Sequence, residues 1–246
     1  MTVPLIQFID IMKSFGTDHV LKGVNLSIYK GEIIAIIGKS GTGKSVLLKH
    51  IIGLVQQDSG QILINGVPLH QLSVEEKISF QKELSYMFQD NALFDFMTIY
   101  DNIALPLVEN SNFPKNQVKE KVFTRMKQLG LTGTEKKFPA QLSGGMRKRV
   151  ALARALVTDP KIVLFDEPTT GLDPVRKKDV HSMIQEYQEK FEFTAVIVTH
   201  DIPQIFDLVQ RIAMLDDGII KFEGSKEDIF DSHSKILDTF VGGEDV

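Results

Sequence analysis

The sequence predicts an α/β fold in which a parallel sheet is preceded by an antiparallel β-subdomain and interrupted by an inserted helical subdomain. Three runs, Ile33–Ile37, Lys161–Phe165 and Thr194–Thr199, are almost continuously apolar, as expected of parallel strands covered on both faces. The earlier runs alternate in polarity and carry the turn signals KG and NG, which favours antiparallel pairing. Before Lys161, about seventy residues read mainly as helix, and an insertion explains that length better than a loop does.

Each strand and helix follows from local composition and period. Eight runs rich in β-branched and aromatic residues are predicted as strands: Ile6–Ile11, Val24–Ile28, Ile33–Ile37, Gln61–Asn65, Leu84–Phe88, Lys161–Phe165, Thr194–Thr199 and Arg211–Leu215. Three longer segments place apolar residues at the period of a helix: Ile99–Val108, Lys115–Leu129 and Gly145–Val157. These three helices form the predicted insertion.

The overall composition is typical of a soluble globular protein. Of the 246 residues, 43% are hydrophobic and 24% are charged, and the net charge of −4 gives no reason to expect a nucleic-acid partner. The absence of cysteine excludes disulfides, thiolate metal sites and cysteine nucleophiles. The first residues lack the pattern of a secretory signal, and every apolar run is far shorter than a membrane span. We therefore expect a soluble, cytoplasmic chain.

The stretch GKSGTGKS, Gly38–Ser45, matches the phosphate-binding pattern G-x-x-x-x-G-K-[ST] in full. It follows a predicted strand and precedes a helical pattern, which is the context that this P-loop motif requires. The residues expected to bind a nucleotide are Gly38, Lys39, Ser40, Gly41, Thr42, Gly43, Lys44, Ser45 and Val46. Lys44 would reach the β- and γ-phosphates, and the Ser45 hydroxyl would ligate Mg²⁺. The alternative, a glycine-rich turn without a ligand, is disfavoured by the complete match and its context.

An acidic pair, Asp166 and Glu167, directly follows the predicted strand Lys161–Phe165. By itself such a pair is usually the start of a solvated loop. Together with the P-loop, it predicts hydrolysis of ATP or GTP, since Asp166 is suited to hold Mg²⁺ and Glu167 to orient and deprotonate a water.

A second candidate anion site lies in LSGGMRKR, Leu142–Arg149. Its two glycines precede a long helical pattern, so they would expose backbone N–H groups at a helix N-terminus. A chain with one P-loop does not obviously need a second such site.

These motifs, in this order, resemble those of the nucleotide-binding subunits of ABC transporters, and the resemblance covers nearly the whole chain. Phe15 in KSFG matches the aromatic residue that stacks on adenine, and Gln89 in MFQD matches the glutamine that links Mg²⁺ and the attacking water to the transmembrane partner. LSGGM matches the family signature, GLDP at Gly171–Pro174 the loop that crosses the dimer, and His200 in VTHD the histidine that contacts the γ-phosphate. The resemblance implies a P-loop NTPase fold of the ABC nucleotide-binding type.

The resemblance also implies a division of the chain. Residues 1–246 would form one ABC ATPase domain. About residues 1–88 and 160–246 would form the RecA-like core with its β-subdomain, and about residues 90–159 the helical subdomain.

The resemblance further implies that ATP and Mg²⁺ are bound between two copies of the chain packed head to tail. Ser143, Gly144, Gly145 and Asp173 of one copy would act on the nucleotide held by the other, which explains the second anion site. Within one copy, Glu167 would be the general base, while His200 and Lys44 would stabilise charge on the γ-phosphate. Ser45, Gln89 and Asp166 would surround the metal ion.

One branch of the family is particularly similar. Met146 replaces the usual glutamine of the signature, and Phe88–Leu107 is rich in apolar residues, as in the ATPases of MCE-type phospholipid transporters, including the maintenance-of-lipid-asymmetry (Mla) system. This implies a transmembrane permease and an MCE-domain lipid-binding protein as partners, at the cytoplasmic face of the inner membrane. The main alternative is an importer of amino acids or another small solute, which would share every catalytic motif. A soluble ABC clamp on ribosomes or DNA is disfavoured because the sequence shows neither a second cassette nor a long coiled-coil insertion, and a non-catalytic nucleotide-binding scaffold because the catalytic residues are all intact.

Overall fold

The computed structural model describes residues 3–87, 92–109 and 113–231, which form two β-sheets flanked by helices. The strands are β1 (Ile6–Phe15), β2 (Asp18–Ile28), β3 (Ile33–Ile37), β4 (Ser59–Ile64), β5 (Val67–Pro68), β6 (Leu84–Met87), β7 (Ile162–Asp166), β8 (Thr194–Thr199), β9 (Arg211–Asp216) and β10 (Ile219–Gly224). The helices are α1 (Lys44–Ile51), α2 (Val74–Lys82), α3 (Ile99–Glu109), α4 (Lys115–Gln128), α5 (Gly144–Leu156), α6 (Pro174–Phe191) and α7 (Lys226–Asp231). The predicted α/β class is confirmed.

The first sheet is antiparallel, with the strand order β2-β1-β4-β5. Strand β1 lies between two partners, so that Ile6 is opposite Ile28 on one side and Ile64 on the other. Asn65 and Gly66, with φ angles of 50° and 82°, make the turn between β4 and β5, where a tight hairpin requires left-handed backbone. The predicted antiparallel β-subdomain is therefore present.

The second sheet has the order β10-β9-β3-β8-β7-β6 and is parallel except at its β10 edge. Its register places Ile37 of β3 opposite Thr199 of β8, and Val198 of β8 opposite Asp166 of β7. The carboxyl ends of these three strands therefore meet at one edge of the sheet, where α/β proteins commonly bind their ligands.

Alternate side chains of β3 enter two different hydrophobic layers. Ile33, Ala35 and Ile37 pack in the layer that includes α3 to α6, whereas Ile34 and Ile36 pack in the layer that includes α1 and the antiparallel sheet. Because both faces of β3 are covered, every position along it is apolar and no alternation is visible in the sequence.

Helices α3, α4 and α5 follow one another between β6 and β7 and pack through buried residues such as Ile103, Val122 and Val150. The three predicted helices are confirmed, and each end lies within about one residue of its predicted position, well inside the usual uncertainty of helix ends. The division into a core and a helical subdomain stays a prediction. In the described part of the chain, no helix combines the length and apolar character needed to cross a bilayer.

Candidate active site

The loop between β3 and α1 needs its glycines for two different reasons. Gly41 and Gly43 have φ angles of 81° and 101°, in the left-handed region that favours glycine. At Gly38 the reason is space, because an added Cβ would lie 2.3 Å from the carbonyl oxygen of Leu215. A Cβ at Gly43 would also lie 2.8 Å from a side-chain atom of Val20, so the β1–β2 hairpin packs against this loop. The tight packing holds the loop at the N-terminus of α1, where its backbone amides can face an anion.

Lys44, the first residue of α1, folds back over this loop. Its side chain is only 5% exposed, and Nζ donates hydrogen bonds to the carbonyl oxygens of Gly38 at 2.8 Å and Lys39 at 2.9 Å. Burial lowers the pKa of Lys44, and the Glu167 carboxylate, 3.7 Å from Nζ, opposes that shift. A poorly hydrated ammonium group of this kind interacts strongly with phosphate oxygens.

Asp166, at the end of β7, accepts two hydrogen bonds from side chains. The hydroxyl of Ser45 donates to Oδ1 at 2.7 Å, and the phenol of Tyr86 donates to Oδ2 at 2.6 Å. Burial, followed by the contact with Asp166, raises the pKa of Tyr86, which keeps the phenol protonated as a donor. A serine hydroxyl and one carboxylate are the hard oxygen ligands with which proteins bind Mg²⁺ beside phosphates, so these residues fit that ion.

Glu167 lies between Lys44 and His200. Its backbone is left-handed, with φ of 50°, and its N–H donates to the carbonyl oxygen of Val198 at 3.0 Å. One carboxylate oxygen, Oε2, lies 2.9 Å from Nδ1 of His200 and accepts a hydrogen bond from the Thr170 hydroxyl at 3.3 Å. A non-glycine residue in this conformation is held by its surroundings, a feature common at functional sites. Thus the three residues predicted to be catalytic lie together.

Phe15 lies at the end of β1, outside this cluster. Its ring is 49% exposed, with the ammonium of Lys13 at 5.3 Å from the ring centroid. Half of Phe15 is therefore accessible, with Lys13 over one face of its ring, and the hairpin that carries it packs against the P-loop through Val20. Gln89, predicted at the metal site, lies outside the described residues.

The predicted trans residues lie on a different surface. Ser143 caps α5 by accepting a hydrogen bond from the backbone N–H of Met146 at 3.3 Å, and Asp173 caps α6 by accepting one from that of Arg176 at 3.1 Å. Ser143, Gly144 and Gly145 line a cleft of about 900 Å³ with Thr170 and Leu172, and the P-loop does not contribute to its lining. Met146 is partly buried and packs against the hydrophobic layer that includes α5.

Two site residues are missed by the sequence analysis. Tyr86 lies within a predicted strand, and only the pairing of β6 with β7 brings it to Asp166, 80 positions later. Thr170 lies only three positions after Glu167, and its hydroxyl contacts that carboxylate. This closeness in sequence was the one indication of its role, because a threonine in a loop has no distinctive pattern.

Comparisons with known proteins agree on one family. The family model for ABC transporters matches residues 21–170. A probable ribonucleotide transport ATP-binding protein, mkl, of Mycobacterium leprae is 39% identical over 95% of this chain and 67% of its own length; the chain spans 65% of the Mycobacterium tuberculosis form. The intermembrane phospholipid transport ATP-binding protein MlaF of Haemophilus influenzae is 34% identical, over 99% of this chain and 92% of its own length. The methionine import ATP-binding protein MetN of Carboxydothermus hydrogenoformans is 39% identical, over 84% of this chain and 61% of its own length.

Solved structures agree with this family. The cbiO1 protein of Clostridium perfringens, part of an ABC transporter complex, superimposes with a TM-score of 0.84 at 28% identity, covering 96% of this chain and 94% of that one. A dimeric post-hydrolysis ATP-binding cassette, MJ0796, bound to ADP and Pi gives a TM-score of 0.75 at 30% identity, covering 89% and 98%. The matched family, the shared fold and the P-loop beside an acidic strand end agree: the chain belongs to the ABC transporter family, as an ATPase subunit.

Proposed function

We propose that this ABC ATPase powers phospholipid transport between the inner and outer membranes, together with a permease and an MCE-domain lipid-binding protein. The observation that carries the catalytic part is the cluster of Lys44, Glu167 and His200 beside the Ser45–Asp166 pair. The lipid part is supported by the relative MlaF, which matches this chain over 92% of its own length, against 61% and 75% for two methionine importers of similar identity.

The chain's own groups perform the binding steps. The P-loop amides and the Lys44 ammonium hold the β- and γ-phosphates of ATP, while the exposed ring of Phe15 stacks on the base. Ser45 and Asp166 would hold Mg²⁺, which would supply positive charge beside the phosphates. Gln89, predicted for the same site, lies outside the described residues. Since Lys44 is already desolvated, its attraction to phosphate is stronger than that of an exposed lysine.

Glu167 carries the proton transfer. Its carboxylate orients a water toward the γ-phosphorus and takes a proton from it as the new P–O bond forms. The bond from that phosphorus to the bridging oxygen breaks, and ADP leaves with phosphate as the second product. Lys44 and His200, which flank that carboxylate, face the charge that develops on the phosphoryl oxygens. Contacts with Lys44, His200 and Thr170 hold this carboxylate in position.

Each complete nucleotide site is formed by residues from two copies of the chain. Ser143, Gly144 and Gly145 at the start of α5, with Asp173 at the start of α6, complete the nucleotide site of a second copy packed head to tail. A Ser143→Arg variant places a bulky cation at this contact. It is expected to bind nucleotide as a monomer while losing ATP-driven dimerisation and turnover, and normal turnover would remove the trans assignment.

The permease contact is assigned to an apolar groove on the helical insertion. The groove, of about 700 Å³, is lined by side chains including Phe96, Tyr100, Val108 and Phe113, and Phe96 is 76% exposed. Such a surface fits an amphipathic cytoplasmic segment of a membrane protein. This contact would hold the chain at the cytoplasmic face of the inner membrane as a peripheral subunit.

The rival function is an importer of amino acids or another small solute, which would use the same ATPase site. The test is affinity purification of the chain from its native membranes in mild detergent, followed by mass spectrometry of proteins and lipids. We expect a permease, an MCE-domain protein and phospholipid to co-purify. A permease together with a small-solute binding protein would leave the ATPase assignment intact and replace the transported substrate.

A further inference from the structure

We propose that Lys148 is a positioning residue that links the N-terminus of α5 to the general base of the same copy. Through this link, contact between Ser143 and the partner's nucleotide would adjust the position of Glu167. The inference rests on the proposed function, since it needs both the trans contact and the catalytic carboxylate.

Lys148 is buried, which is unusual for a lysine. It is 6% exposed, and its Nζ donates a hydrogen bond of 2.7 Å to the carbonyl oxygen of Pro168. A buried ammonium is costly unless it is hydrogen-bonded, and a charge-assisted bond of this length is a strong one. This contact is therefore expected to persist when α5 moves slightly.

The neighbouring basic residues make different contacts. Arg147 donates to the carbonyl oxygen of Leu142, and Arg149 to that of Leu129, so both bonds stay within the helical insertion. Lys148 instead reaches the segment that follows β7. A basic run on a helix, such as RKR at Arg147–Arg149, is usually exposed to solvent. Here one of its residues, Lys148, is buried and makes a hydrogen bond to another segment of the chain.

The acceptor of this bond is adjacent to the proposed base. Pro168 directly follows Glu167, and the loop then turns back, with the backbone N–H of Thr170 bonded to the carbonyl oxygen of Glu167 at 3.3 Å. The Thr170 hydroxyl contacts the Glu167 carboxylate at the same distance, 3.3 Å. A shift of the Pro168 carbonyl would therefore be passed to the catalytic carboxylate through short, direct connections.

The position of Lys148 along α5 makes it suited to transmit a movement. It lies five positions after Ser143, about 7 Å along a rigid helix. Ser143 and Thr170 line the same cleft of about 900 Å³, so the two segments face each other across open space and Lys148 bridges them. Displacing a catalytic group by about 1 Å can change a rate about 100-fold, so a small movement of α5 is sufficient for control.

The test uses three variants of the full chain. Lys148→Met keeps the length of the side chain and removes the ammonium, and Lys148→Arg restores a cationic donor. Lys127→Met, at an exposed position of α4 outside the cleft, is the matched control. Measurements are ATP turnover against ATP concentration, affinity for a fluorescent ATP analogue, and melting temperature. Wild type and Glu167→Gln are assayed in parallel, so that a failure of the proposed function, seen as equal turnover in those two, is distinguished from a failure of this inference.

We expect Lys148→Met to lower kcat about 10-fold and to flatten the cooperative dependence on ATP that a site shared by two copies predicts. Nucleotide affinity should stay close to wild type, and the melting temperature should fall by only a few degrees, because one buried hydrogen bond is lost. Lys148→Arg should restore much of both kcat and cooperativity, and Lys127→Met should behave as wild type. Wild-type kcat and cooperativity in Lys148→Met would overturn the inference. Equal loss of kcat and cooperativity in Lys148→Met and Lys148→Arg would show a purely structural lysine and overturn it as well.

Discussion

The phenol of Tyr86 provides a sharp test of the proposed Mg²⁺ site, because it bonds to Asp166 without belonging to the predicted set of metal ligands. Tyr86 and Ser45 bind different oxygens of the Asp166 carboxylate, at 2.6 Å and 2.7 Å, so the two bonds together fix its rotation. A Tyr86→Phe variant removes one bond and keeps the ring. The freed carboxylate would rotate away from the orientation in which it faces the hydroxyl of Ser45.

The expected magnitude follows from the strength of that bond. A hydrogen bond to a charged group contributes about 1.5–3 kcal/mol, and the lower end applies here because Tyr86 is only partly buried. Since about 1.4 kcal/mol corresponds to tenfold, the Mg²⁺ concentration for half-maximal turnover should rise about 10-fold. This agrees with the loss of about 10- to 100-fold in metal affinity caused by removing partners of metal ligands.

The assay is ATP turnover during a Mg²⁺ titration at fixed ATP, compared with wild type and with Tyr100→Phe. Tyr100 lies on α3 with its ring 5.8 Å from that of Phe123, away from the metal site, so its phenol serves as a control. At saturating Mg²⁺ the two Tyr→Phe variants should have similar kcat. An unchanged or lower Mg²⁺ requirement in Tyr86→Phe would refute the idea that this phenol orients Asp166.

Three further predictions concern stability and are checked by urea unfolding. Gly38→Ala should lose about 1–3 kcal/mol, because its Cβ meets a backbone oxygen at 2.3 Å, whereas Gly145→Ala, with open space, should lose little; equal losses would contradict the packing argument. Burial lowers the pKa of His50 from its ordinary value of 6.5, so the folded state binds the proton less readily than the unfolded state. The free energy of unfolding should therefore fall as pH drops below 6.5, and this fall should be less steep in His50→Gln. Lys177→Met should lose about 3 kcal/mol by leaving buried Asp201, 2.6 Å away, without its cation, and a loss near zero would rule this out.

Much of the site is predictable because its motifs directly follow strands. A fully buried parallel strand is recognisable as an apolar run, and the residues after such strands meet at one sheet edge. Lys44, Asp166 and His200 each follow such a strand closely, and the structure brings all three to that edge. Their proximity was therefore foreseeable, while the catalytic roles assigned to them stay predictions.

The contacts of Tyr86 and Lys148 were not predictable from local pattern. Their acceptors lie 80 and 20 positions away, at Asp166 and Pro168, so only the tertiary packing brings donor and acceptor together. A tyrosine in a strand and a lysine on a helix are ordinary residues there, and burial alone distinguishes them. Basic residues on helices are usually exposed, and this expectation is wrong for Lys148, which is buried.

Some secondary structure was also missed, for identifiable reasons. Helix α2 is mostly polar, and its one clear signal is the capping box formed by Ser73 and Glu76. Strand β10 follows a tight turn at Asp217 and Gly218, with φ angles of 47° and 77°. An Asp-Gly pair is a hairpin signal, and it could have indicated that a further strand pairs with β9. Helix α6 begins with the N-cap Asp173 and a proline, which are also helix start signals.

The most direct test of the central claim is a comparison of wild type and Glu167→Gln in ATP turnover and in molecular mass measured with ATP and Mg²⁺. Removing the general base while keeping the shape of the side chain should lower turnover about 10²- to 10⁴-fold. It should also leave ATP bound in a stable dimer twice the mass of the 27.6 kDa chain. A variant that turns over ATP at the wild-type rate, or that binds ATP and remains monomeric, would contradict the account of a shared site with Glu167 as its base.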